Sequence, residues 1–186
     1  MSFGGKVKGF LGSPTATFGA VKQDTLGDAL KYALIWFVIF GAVFGIIFAL
    51  SFGLISGMIG LLFPLPGWLV GVGLLLIPIM IGFMIVAGIV GIFIGGAWTH
   101  LWVYVFGGRE GYTQTVKALA YGATPSYVVG WVPFVGPPVG GIWALVVEII
   151  GLRELHGITT GKAVGAYLLA VFIPLVIVLV ISAVIV

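Results

Sequence analysis

The sequence predicts an all-α fold, a polytopic membrane bundle of five transmembrane helices with a short N-terminal amphipathic arm. Three observations lead there. Of the 186 residues, 61% are hydrophobic and 7% charged, against roughly 45–50% and about 25% in soluble domains, too few polar side chains to clothe a water-soluble surface. Apolar runs beyond the roughly 20 residues that cross a bilayer core of about 30 Å recur along the chain. The eight Lys and Arg are confined to three segments, which five crossings would bring to one side of the membrane.

The arm covers 1–31 and the bundle 32–186. In the arm, Phe3, Val7, Phe10 and Leu11 share a helical face with Lys6 and Lys8 beside it, the pattern of a short basic helix lying on an anionic leaflet. Ser13-Pro14 then starts a second helical turn, with Pro at the first helical position. Thr25 with Asp28 three residues on is a capping-box pattern that announces the first span, 32–57. Pro64, Pro66 and Gly67 end it, and Trp68 suits the membrane interface. The second span, 70–106, carries no charge, and it is expected to enter the core near Pro78 with the preceding residues partly interfacial. A glycine-rich turn leads to the third, 113–131, with a kink at Pro125. "VPFVGPPVGG" reads as a tight uncharged hairpin, followed by a short fourth span, 139–152, and after "RELHGITTGKA" by a fifth, 163–186.

Orientation follows from the cations. Lys6, Lys8, Lys22 and Lys31 lie before span one, Arg109 and Lys117 after span two, and Arg153 and Lys162 after span four. The positive-inside rule places these segments, and the N-terminus, in the cytoplasm and the C-terminus outside, in the cell membrane. The interruptions at Lys6, Lys8, Lys22, Asp24, Asp28 and Lys31 are unlike a cleavable signal, so span one is expected to be its own insertion signal.

Few residues are candidates for chemistry. Glu148, five residues before Arg153, and His100, near the end of span two, are intramembrane polar groups, which usually face the protein interior with a partner. Three readings stand side by side: a contact of Glu148 with His100, Arg153 or Lys162 between spans, a carboxylate that snorkels to the interface, and a proton or cation relay. Gly41/Gly45, Gly53/Gly57 and Gly91/Gly95 are small-xxx-small pairs that let helices approach closely, within the chain or between copies. "GITTGKA" falls one residue short of a phosphate-binding loop, has Ala163 where Ser or Thr is needed, and follows no strand. Glu154 and His156 have no neighbouring His or Cys to make a metal site, and cysteine is absent altogether. No catalytic residues, metal site or cofactor are expected. Eight cations without a dense cluster make no nucleic-acid stripe.

Several stretches carry a family resemblance: "SPTATF" with Pro14 and Phe18; "GGREGYTQTVKALAYGATP" with Gly107, Gly108, Tyr112, Thr115, Tyr121 and Pro125; the hairpin with Pro133; and "IIGLRELHGITTGKA" with Gly151, Leu152, His156, Lys162 and Ala163. In this order and spacing they resemble the Yip-domain family of integral membrane proteins, named for interacting with Ypt/Rab GTPases, over nearly the whole chain. The resemblance implies a five-span bundle with a cytoplasmic N-terminus and, in eukaryotic members, a scaffold role in vesicle traffic. The arm here is short and lacks the "DLYGP" motif, so the chain is more similar to the compact prokaryotic members. The expected function is a non-enzymatic membrane scaffold or interaction protein in membrane organisation or trafficking, with the bilayer and a protein partner or second copy as its contacts. The alternative is a small transporter or channel with a Glu148/His100 polar path.

Overall fold

The computed structural model describes residues 1–185, with the backbone alone at 70 and 185, so the last residue of the expected fifth span lies outside it. The described residues are helical, in the order α1 (Phe3–Gly12), α2 (Pro14–Val21), α3 (Leu26–Gly60), α4 (Trp68–Val105), α5 (Tyr112–Gly122), α6 (Thr124–Val129), α7 (Gly136–His156) and α8 (Thr160–Ile185). A polytopic helical membrane protein accounts for this.

Among the described residues, three helices rather than five are long and apolar enough to cross a bilayer, spanning Leu26–Gly60, Gly71–Val105 and Thr160–Val184. The expected third span is broken: α5 ends at Gly122 and α6 restarts at Thr124 with Pro125 in its first turn, where the missing N–H and the ring of proline cannot continue a helix. The expected fourth span is α7, whose 21 residues open on Gly136-Pro137-Pro138, carry Glu148 midway and close on Arg153, Glu154 and His156, so its apolar stretch is short. α4 starts at Trp68 and runs through Pro78.

Local signals set the ends that were legible. The Thr25 backbone N–H donates to Asp28 Oδ2 at 3.0 Å and the Asp28 N–H returns a bond to Thr25 Oγ1 at 3.2 Å, the reciprocal capping box at the start of α3. At the other end of the chain Gly157 takes φ 61°, ψ 28° after α7, a left-handed cap that glycine adopts without the Cβ clash of other residues.

The chain divides into two compact units. The first, residues 1–32 with 91–186, is organised around α7, which packs against α2, α5, α6 and α8, while α1 packs against α2 and α6. Its core holds Phe10, Phe18, Val21, Val103, Val116, Tyr121, Val147, Leu152 and Leu155, all buried. The second, residues 33–90, is the antiparallel hairpin of α3 and α4. In it the helices meet at glycine: a Cβ on Gly41 would lie 2.5 Å from Ile81 Cα, and one on Gly45 2.7 Å from Ile77 Cα. Closing that distance lets dispersion act between backbones in lipid, where no hydrophobic force drives helices together.

Candidate functional site

Three groups of interior polar side chains lie in the first unit. The largest fastens the arm. Lys6, on the buried side of α1, donates from Nζ to Asp24 Oδ2 at 2.6 Å and to the Tyr121 hydroxyl at 3.0 Å, and Tyr121 in turn donates to the same carboxylate oxygen at 2.6 Å. Phe10, one helical turn on, stacks on the Tyr121 ring at 5.2 Å between centroids and leans on Phe18 at 4.8 Å. Tyr32 closes the cluster, 5.3 Å from Tyr121, and its hydroxyl hydrogen-bonds Thr124 Oγ1 at 2.8 Å. Burial would raise the Asp24 carboxyl, but the Lys6 ammonium and the Tyr121 hydroxyl outweigh it and hold the group below its usual value. Lys117 is buried as well, and its Nζ donates at 2.8 Å to the carbonyl of Lys22, where a cation meets the negative end of α2.

The arm residues therefore divide. Lys6 and Phe10 point into the protein, Phe3, Val7 and Leu11 are partly covered, and Lys8 is exposed. Periodicity had marked one apolar face on this helix. The structure turns part of it toward Tyr121, because an aromatic pocket lined by Phe18 and Tyr32 waits there.

The second group is a chain of three. His100 Nδ1 lies 2.8 Å from Thr115 Oγ1, which lies 2.9 Å from His156 Nε2. A hydroxyl has one proton, so Thr115 donates to one imidazole and accepts from the other, and the two histidines present unlike nitrogens to it. Thr115 and His156 are buried, and His156 Nδ1 has no hydrogen-bond partner. Desolvation, with His100 and Lys22 adding to it, pushes the His156 imidazole down to about 4, so it is neutral near pH 7. In the sequence His156 and Thr115 both stand among the positions that carry the family resemblance. Their meeting, 41 residues apart, leaves no periodic trace.

The third group holds Glu148. It accepts a hydrogen bond from the Tyr167 hydroxyl on α8, and its backbone passes so close to α5 that a Cβ on Gly122 would lie 2.8 Å from Glu148 Cα. The partners expected for it are placed elsewhere. His100 is on Thr115; Arg153 is paired with Glu154 at 2.6 Å and reaches Thr15 Oγ1 at 3.0 Å; the Lys162 ammonium lies beside Gly107. Of the four residues expected on the cytoplasmic face, Arg109 and Lys162 are exposed, Arg153 is half-buried and Lys117 is interior. Arg109 stacks on Tyr104, 3.8 Å from its ring centre, and donates to the Gly108 carbonyl at 3.2 Å. Gly53, Gly57, Gly91 and Gly95, unlike Gly41 and Gly45, face open space.

These contacts tie together the stretches that carried the resemblance: Phe18, Thr115, Tyr121 and His156 all lie in this unit. The family model of the Yip1 domain matches residues 8–183. The chain belongs to the Yip1 domain family. No curated protein and no solved structure matches it. The matched range of this Yip1 domain begins at Lys8 inside α1 and reaches the last turns of α8, so it takes in all eight helices. Among the described residues no group of three or more His, Cys, Asp and Glu side chains comes together as metal ligands would.

Proposed function

We propose that this Yip1 domain is a non-enzymatic scaffold of the cell membrane, of the compact prokaryotic type, that presents an arm-and-loop platform to a protein partner in membrane organisation or trafficking. One observation carries the reading: its buried polar groups are used to hold the arm and the inner turns in place. Lys6, Asp24 and Tyr121 fasten α1; Lys117 caps α2; His100, Thr115 and His156 tie α4, α5 and the end of α7. A transport path needs polar groups in succession across the membrane, and here Lys6, Asp24, Tyr121, His100, Thr115 and Glu148 are each bonded to a neighbour. The platform then exposes Lys8, Arg109, Glu110 and Lys162.

In this reading the N-terminus is cytoplasmic and the C-terminus outside. Three crossings and five give that same result, since both are odd. We take five: α7 carries exposed Val139, Ile142, Trp143 and Val146, and the turn before it exposes Trp131 and Phe134 with no charge, a composition suited to lipid and its far interface.

The half-buried Glu148 with Tyr167 favours the second reading, a small transporter, and one experiment separates the two. Protein reconstituted in liposomes is expected to give no pH-dependent ion flux, with Glu148→Gln indistinguishable. Photo-crosslinkers at positions 109 and 154 in native membranes are expected to yield discrete protein adducts that one at position 54 does not. Flux that Glu148→Gln abolishes would overturn the scaffold reading in favour of transport.

A further inference from the structure

The α3–α4 hairpin is longer than the bilayer it is built for. From Tyr32, the first residue after Lys31, to Gly60, α3 is about 43 Å long at 1.5 Å per residue, and α4 from Trp68 to Trp98, just before Thr99 and His100, is about 46 Å. A hydrocarbon core is about 30 Å thick. No charged residue interrupts either arm or the loop 61–67 between them. The excess cannot be assigned to water, because the exposed side chains between 53 and 68 are all apolar. Leu54 is 71% exposed and Met58 69%, their neighbours Ile55 and Ile59 are exposed too, and Leu61 and Leu62 stand at 87% and 79%. The two helices meet along Gly41, Gly45 and Gly73, and Leu54 and Met58 on α3 and Leu75 and Ile79 on α4 point away from that seam, so the hairpin is apolar on its two opposite outer sides. A second copy would cover one face and leave the others wet. Trp68, exposed where the loop meets α4, is the amphipathic ring expected at the far interface.

We infer that the hairpin is immersed in acyl chains to its tip, and that its length makes this Yip1 domain responsive to bilayer thickness. To fit wholly in a core of about 30 Å the helices must lean by about 45–50°, beyond the 0–40° found for most transmembrane helices. A core thicker by about 10 Å lets them rise to roughly 20–30°. The lipids it fits are those that thicken the bilayer, long-chain ones above all.

Cysteine is absent from the chain, so a single introduced thiol can carry a spin label without interference. Leu50→Cys, Leu54→Cys, Met58→Cys and Leu61→Cys lie at exposed positions along α3 and just beyond it. Each variant is labelled with a nitroxide and reconstituted at low protein density in dioleoyl- or dierucoyl-phosphatidylcholine vesicles. Depth is read from collisions with oxygen against a water-soluble nickel chelate. The expected result is shielding from the chelate at all four positions, and a depth change of about 1.0 Å per residue in dioleoyl vesicles that rises to about 1.3 Å in dierucoyl ones. Free access of the chelate to Leu61→Cys would show a tip in water and overturn the inference. So would a slope near 1.5 Å per residue in the thinner bilayer, or shielding that disappears as protein is diluted in lipid, which would make a second copy the cover.

Discussion

Asp24 holds two donors on one oxygen, the Lys6 ammonium and the Tyr121 hydroxyl, with side chains of Lys6 and Asp24 10% and 22% exposed. Cutting one partner from a buried pair leaves the other charge without compensation, at about 3–5 kcal/mol when water is fully excluded. Partial exposure softens that, so Asp24→Asn is expected to lower unfolding free energy by about 2 kcal/mol in detergent denaturation. His156 offers a test by pH. Its folded value near 4 lies below the unfolded 6.5, so between these values the unfolded chain binds more protons. Its contribution is complete above pH 6.5 and is lost as pH falls toward 4, up to about 3 kcal/mol in all. Replacing it, as His156→Gln, should flatten the stability–pH curve across that window; an unchanged slope would show that the imidazole is not held neutral by burial. At this scale the sequence was informative where partners are close: Thr25 and Asp28 could be read as a cap. Lys6, Asp24 and Tyr121 could not, because 97 residues separate the tyrosine from the carboxylate and only the folded chain brings them together.

Between helices, the glycine pairs separate into two kinds that spacing alone cannot tell apart. A Cβ at Gly41 would meet the backbone of Ile81 and Met80, whereas one at Gly53 meets nothing within 4 Å. Gly41→Ala should therefore destabilise the hairpin by about 1–3 kcal/mol through overpacking. Gly53→Ala should be neutral or stabilising by up to about 1 kcal/mol, as alanine replaces glycine in a helix. Thermal unfolding of the two variants in the same detergent checks both, and equal effects would remove the distinction. Similar physics explains which spans were legible. α3, α4 and α8 each carry a long uncharged run, after Lys31 in α3 and after Lys162 in α8, whose composition alone identifies it. The α5–α6 break was expected only as a kink at Pro125, because a run of small and apolar residues does not show whether a helix bends or restarts. The start of α7 was placed late, since Pro137 and Pro138 read as loop residues although proline fits a first helical turn.

For the molecule in its membrane, the threading is the property to measure. With five crossings, Phe134→Cys, at a 95% exposed position in the turn before α7, should react with an impermeant thiol reagent added outside sealed cells. Lys162→Cys should react only after permeabilisation. If Phe134→Cys stays protected from both sides, α5, α6 and α7 enter and leave on one face, and α3, α4 and α8 alone cross. Cation placement led to five crossings, but three leave the same basic segments on one side. Telling them apart needs the lengths of helices that the sequence runs together. The clasp on α1 has a practical consequence for anyone simplifying this protein. A version shortened to begin at Lys22 would still contain every bilayer crossing and would pass for a minimal domain. It would also uncover Tyr121 and Tyr32 and leave the Asp24 carboxylate facing them without its ammonium, so clumping on purification would report the trimming rather than any habit of the intact chain.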